Sequence, residues 1–244
     1  MLRHYLTSMA RGVLFWRRRS PLTSVVALSD FCFSRTAHIS QTTLYGYLRT
    51  RAGLQHFNVM SDPAFAEALR PARTRVIQAA LADLILYVTA QLVRTTQNEA
   101  GKTGETGRDQ PPTTQETIQD ASHVARILYD RAARPLSDAD ISAADLVTMR
   151  EAFLARAQDI TQETTWDIVD EKIFQQSCRA LVRHAPVTDT LKKGDGQIVM
   201  NSMRFKWQAI TRELNARLVP AAILAEIAEQ EDKQDNENKK TDEN

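Results

Sequence analysis

An all-α fold, an irregular bundle of about six to eight helices, is predicted by three observations. Apolar residues recur at intervals of three and four along most of the chain. Only 8 glycines occur among 244 residues, about half the usual share, and nucleotide-binding α/β folds need glycines at their tight turns. Alanine and leucine abound, whereas β-branched clusters are short and turn signals few. With 43% hydrophobic and 25% charged residues, the chain has the composition of a globular protein able to bury a core.

Residues 1–19 read as a basic amphipathic helix. Leu2, Tyr5, Leu6, Met9, Val13 and Trp16 form one apolar stripe. Arg3 and Arg11 lie away from it, and Arg17, Arg18 and Arg19 close the end that suits positive charge. Pro21 breaks the pattern. A second helix starts near Ser24 and carries Val25, Leu28, Phe31, Cys32 and Ile39 towards Leu44 and Leu48, with Gly53 as its C-cap. Residues 54–61 read as a connection. Ser61 or Asp62 can cap the next helix and Pro63 fits its first turn. Phe65, Leu69, Val76, Ile77, Leu81, Leu84 and Val88 follow at helical spacing, and Pro71 is expected to kink or divide this helix. Its apolar run, 76–93, is interrupted by Gln78, Asp83 and Gln91 and reads as a buried core helix. Asp83 within it either is buried with an arginine partner or faces solvent.

The N-terminal helical region, 20–94, ends at a polar stretch, 95–117, which holds three glycines and two adjacent prolines. It reads as a disordered linker, either a long inserted loop or a boundary between two helical halves. In the C-terminal helical region, 118–228, Ile118, Val124, Ile127 and Leu128 define a helix that stops before Pro135. "SDAD" at 137–140 resembles a capping-box start for a helix carrying Ile141, Val147, Phe153 and Leu154. Another carries Trp166, Val169, Ile173, Phe174, Leu181 and Val182. After the loop 184–196 comes a helix with Val199, Met203, Trp207, Ile210, Leu214 and Leu218. Pro220 opens a short helix to Ile227, and 229–244 reads as an unfolded acidic tail.

Several chemistries lack their signatures. "AGKTGETG" imitates the end of a phosphate loop, but its first glycine position is Thr96 and no strand precedes it. No serine sits in a G-x-S-x-G elbow. The five histidines are scattered at 4, 38, 56, 123 and 184, and no metal or cofactor is expected. Glu163, Asp167, Asp170 and Glu171 share one side of the Trp166 helix. An acidic solvated face near a helix start explains them; acid–base chemistry or a metal is the alternative. Cys32 and Cys178, the only cysteines, suggest free thiols in a reducing compartment, with one long-range disulfide as the alternative.

Charge is polarised along the chain. Residues 1–61 contain eight arginines, no lysine and a single acid, Asp30, whereas residues 226–244 contain eight acids and three lysines. Such asymmetry concerns surfaces and partners. The stretch "QTTLYGYLRTRAG", 41–53, adds a second basic cluster. Tyr47 can pack with Leu44 and Leu48, and Gly46 leaves room for another helix. Tyr45, Arg49 and Arg51 are the candidates for a partner or phosphate contact.

"TLYGYLRTRAG" also resembles a segment in functionally uncharacterised alphaproteobacterial proteins, some of which carry loose esterase labels. The resemblance covers about residues 36–90, with "ALADLILYVTAQL" at its end. It implies a bacterial, cytoplasmic protein and brings no catalytic residue; the missing serine elbow speaks against an esterase.

The expected function is therefore that of a non-enzymatic adaptor or assembly factor. It would sit peripherally on an anionic membrane surface or protein complex, through Arg3, Arg11, Trp16, Arg17, Arg18 and Arg19. The same stripe could pack within the fold, on a partner or on another copy of the chain. The alternatives are a nucleic-acid-binding protein using the basic head, a helical enzyme with an unrecognised site, and, for localisation, the mitochondrial matrix by a transit-like N-terminus.

Overall fold

The structure, a computed structural model, describes residues 20–102, 114–136, 141–162 and 174–242. The expected amphipathic head, 1–19, with Arg3, Arg11, Trp16, Arg17, Arg18 and Arg19, lies outside them, as do the "SDAD" start and the carboxylates at 163, 167, 170 and 171. The elements are α1 (Val25–Ala52), α2 (His56–Ser61), α3 (Pro63–Lys102), α4 (Thr114–Ala132), α5 (Ala143–Gln162), α6 (Gln175–His184), α7 (Asp189–Lys192), α8 (Asp195–Asn215) and α9 (Pro220–Asp242). The all-α reading holds: among the described residues the one β feature is an isolated bridge between Leu22 and Leu218.

Local chemistry sets the boundaries. Ser24 caps α1 by accepting from the Ala27 amide at 3.2 Å, and Gly53 ends it at φ 54°, its own amide donating to the Arg49 carbonyl. Asp62 Oδ1 accepts from the Ala64 amide at 3.0 Å to start α3, with Pro63 at the first helical position. Ser142 caps α5 through the Asp145 amide at 3.1 Å, five residues past the start that "SDAD" suggested. Gly194, at φ 87°, supplies the left-handed turn into α8.

The spine is α3. Leu81, Leu84, Ile85, Val88 and Leu92 are fully buried in it, against α1, α4 and α6. Its apolar portion is long enough to cross a membrane, yet the most apolar window is 83% buried by the chain's own helices. It is a core helix. One hydrophobic cluster joins Leu28 of α1, Leu84 of α3, Leu128 of α4 and Trp207 of α8, so the chain on both sides of 103–113 shares a single core. Two stacked ring pairs fill its C-terminal half, Tyr129 on Phe153 at 4.1 Å and Phe174 on Trp207 at 4.4 Å. Both cysteines are free and buried; burial pushes the Cys178 thiol up to about 11 and that of Cys32 further still.

Four expectations need correction. Pro71 does not divide α3, which runs through it; Leu69, Ala72 and Thr74 beside it are buried, and that packing outweighs one missing hydrogen bond. The linker is shorter than its composition suggests, because α3 continues to Lys102 and α4 begins at Thr114. Once a helix is nucleated, each added residue gains a hydrogen bond, so polar sequence extends it readily. The connection at 54–61 is itself helical, a 3₁₀ turn at Gly53–Gln55 followed by α2. The acidic tail is helical to Asp242, with Gln230 bonding Glu226 one turn earlier at 3.2 Å. It is solvated as expected where Glu229, Gln230 and Lys233 are exposed.

The N-terminal end of the described chain is clasped to the turn before α9. The Leu22 amide donates to the Arg217 carbonyl at 2.7 Å, and the Leu22 carbonyl accepts from the Val219 amide at 3.1 Å. Arg217 Nε donates to the Ser20 carbonyl at 3.0 Å, and the Val25 amide to Glu226 Oε2 at 2.8 Å. Arg35 and Arg217 converge on Glu213 and flank the Phe31 ring at 5.4 and 5.2 Å.

Candidate functional site: a cationic cleft and an apolar tip

The stretch that packs tyrosines beside arginines divides its labour. Tyr47 donates to Asp195 Oδ2 at 2.6 Å, and Arg51 forms an ion pair with the same carboxylate. Asp195 is buried at the first position of α8, where a negative charge also favours the helix dipole. Arg51 therefore contributes to the fold while its side chain stays partly exposed. Replacing Arg51 with methionine should cost roughly 1–3 kcal/mol, because a buried carboxylate loses its charged partner. The same change at exposed Arg49 should leave chemical denaturation within about 0.5 kcal/mol of wild type. Equal losses at both positions would overturn this division.

Tyr45 and Arg49 stay on the surface. Gly46 between the rings faces open space, so no helix among the described residues uses the approach it permits. Just beyond, at the turn into α2, Leu54 is fully exposed and Phe57 is 73% exposed. Residues 45–61 contain no acid. Helical spacing carries the Tyr45 and Arg49 side of α1 back through Thr42, His38 and Arg35. These line a groove of about 830 Å³ against Lys206 and Arg212 of α8. Glu213 is the one carboxylate lining it among the described residues, already shared by Arg35 and Arg217. Lys206 Nζ donates to Thr43 Oγ1 at 2.8 Å, and burial holds its ammonium below the usual lysine range. Ile198 and Phe205, both largely exposed, share the outward side of α8 with Arg212 by spacing.

A second basic concavity, of about 530 Å³, opens between α3, α4, α5 and α6. Behind its wall, against Arg156, lies the buried acid that the sequence singled out. Asp83, fully buried on α3, accepts from Arg156 Nη1 at 2.6 Å and from the Ser177 amide at 2.8 Å. Burial nevertheless raises its carboxyl above the usual carboxylate range, against the pull of Arg156 and the Ser177 amide. Arg75, Arg156, Arg179, Arg183 and His184 all line the cleft. Arg75 pairs with Asp145 at 3.2 Å, and among the described residues Arg179 reaches only the neutral Gln175 Oε1 at 2.9 Å. The His184 imidazole is held below its usual range by burial and then by Arg75, Arg183 and Lys192.

Behind these cations Gln78, itself buried, donates from Nε2 to the Tyr129 hydroxyl at 3.1 Å while its Oε1 has no partner. Burial raises the Tyr129 phenol to about 12, so it stays protonated. Among the described residues no cluster of histidine, cysteine and carboxylate groups could hold a metal ion. The cleft was missed in the sequence because its cations come from three helices, each ordinary alone. Comparison of the chain with protein-family models, curated proteins and solved structures gives no match.

Proposed function

We propose that the protein is a helical adaptor or assembly factor that attaches peripherally to an anionic membrane surface, on the cytoplasmic side. The observation that carries this reading is the acid-free tip at the end of α1. There the exposed Leu54 and Phe57 adjoin exposed Arg49 and Tyr45. Apolar side chains free to enter the acyl boundary, next to guanidinium groups that meet lipid phosphates, are what interfacial attachment requires. The groove lined by His38, Lys206 and Arg212 extends the same sign of charge along α1 and α8. The five arginines within residues 1–19, which carry no acid, supply a second basic contact. Two signals together hold a protein at a surface where either alone is marginal.

Co-sedimentation with vesicles across a salt series tests this. Full-length protein should bind phosphatidylserine-containing vesicles and release as salt rises, since surface attraction decays within a Debye length. Starting the chain at Ser20 should weaken binding by about tenfold or more, given ~1 kcal/mol per basic residue near the surface, and replacing Leu54 and Phe57 by serine should do the same by removing the apolar area they bury in the interface. Neutral vesicles should not bind. Absence of binding to anionic vesicles at low salt would sink the reading and leave the tip as a protein contact.

A further inference from the structure

Four arginines line the cleft between α3, α4, α5 and α6. Arg75 is paired with Asp145 and Arg156 with Asp83, which leaves Arg179 and Arg183 without a carboxylate among the described residues. Arg179 and Arg183 lie one turn apart on α6, so both guanidinium groups point to the same side. Neither meets a carboxylate among the described residues, and Arg183 has no side-chain partner there at all. The guanidinium fork matches phosphate and carboxylate oxygens two at a time.

A second, independent observation comes from the buried wall. Gln78 is 2% exposed and its Oε1 is unpartnered. Rotating the amide by half a turn would exchange an orphan acceptor for an orphan donor, so the unmet polar group persists either way. A buried polar atom without a partner is costly unless something else satisfies it. A volume of about 530 Å³ falls within the range of small-molecule sites.

We propose that this cleft binds a phosphomonoester whose body carries hydroxyl groups, with the phosphate on Arg179 and Arg183 and, once the Gln78 side chain turns from its sealed position towards the cleft, a hydroxyl on its amide. His184, kept neutral beside these cations, offers a further donor or acceptor. The proposal is independent of surface attachment through the α1 tip. Two sources carry the chemistry: a soluble sugar phosphate and the headgroup of a phosphorylated inositol lipid.

Titration calorimetry on the full chain, with glucose 6-phosphate, inorganic phosphate, glucose and citrate as probes, tests it. In parallel, vesicles containing phosphatidylinositol 4-phosphate are compared with phosphatidylserine vesicles. Saturable binding of glucose 6-phosphate identifies the soluble source. Preference for the phosphoinositide vesicles, lost in Arg179→Gln/Arg183→Gln, identifies the lipid source. In either case the double variant should bind at least about tenfold more weakly, as expected for losing charge-assisted bonds. Gln78→Leu should erase the advantage of glucose 6-phosphate over inorganic phosphate. Arg212→Gln and the Leu54/Phe57 serine variant should leave the calorimetric binding unchanged, which separates this site from the surface contact. The proposal is overturned if neither phosphate source binds up to millimolar concentration, if the double variant binds as wild type does, or if citrate binds more tightly than glucose 6-phosphate.

Discussion

Replacing Asp83 with alanine is expected to remove about 3–5 kcal/mol of folding stability. The substitution strips Arg156 of its carboxylate and the Ser177 amide of its acceptor at once, in a site with no exposure to water. For a chain of this size the melting temperature should fall by roughly 10 °C, measured by scanning calorimetry. A fall under 2 °C would mean that water or another side chain replaces the carboxylate.

The pH dependence follows from the direction of the shift. Burial raises the Asp83 carboxyl in the folded state, so folding favours its protonated form. Its contribution is then complete below the unfolded-state value and is lost as pH rises through the higher folded value. Relative to Asp83→Asn, which cannot titrate, the wild type should gain stability as pH is lowered from neutrality towards 4. A gap that narrows on acidification would show that Arg156 governs the site instead.

The second large effect concerns where the chain begins. A protein starting at Ser20 should unfold at the same denaturant midpoint as the full chain, because the Ser20 carbonyl and everything after it remain clasped. Starting at Ser24 should cost about 2–5 kcal/mol. Leu22, 2% exposed, leaves the core, and its amide and carbonyl bonds to Arg217 and Val219 go with it. The new amino terminus would also place a positive charge at the start of α1, against the dipole. If the Ser20 protein fails to fold, the basic head belongs to the core and the surface reading loses one of its two contacts.

The helices were legible in the sequence because each buries one stripe of apolar residues, and a stripe leaves a period. Val199, Met203, Trp207 and Leu214 are buried in α8 as their spacing predicts. Asp83 was legible as well: a carboxylate inside an apolar run has few stable environments, and one with an arginine is the one it occupies. Where polar sequence extended a helix, at 95–102 and beyond Glu229, no stripe recorded it, and hydrogen-bond propagation decided the outcome. Val147 shows the converse. It continues an apolar pattern, yet it is 54% exposed, since spacing names a side of a helix without naming what faces it.

The candidate site divides in the same way. Tyr45 and Arg49 were visible as surface candidates from their local sequence. The different role of Arg51 depended on Asp195, 144 positions away, which no local pattern connects to it. The cleft arginines, on α3, α5 and α6, become a cluster only through helix packing.

The clasp also sets a timetable for biosynthesis. The Val25 amide and Glu226 are separated by 201 positions, so the partner of the first residues of α1 is translated long after α1 itself. At about 5–20 residues per second, the nascent chain waits roughly 10–40 s with Leu22 and Val25 uncovered. Throughout that interval α1 and α3 hold each other while their remaining apolar faces await α6 and α8. Until Glu226 emerges, the growing polypeptide exposes apolar surface that the finished fold covers, the condition under which a partly folded chain is most prone to aggregate.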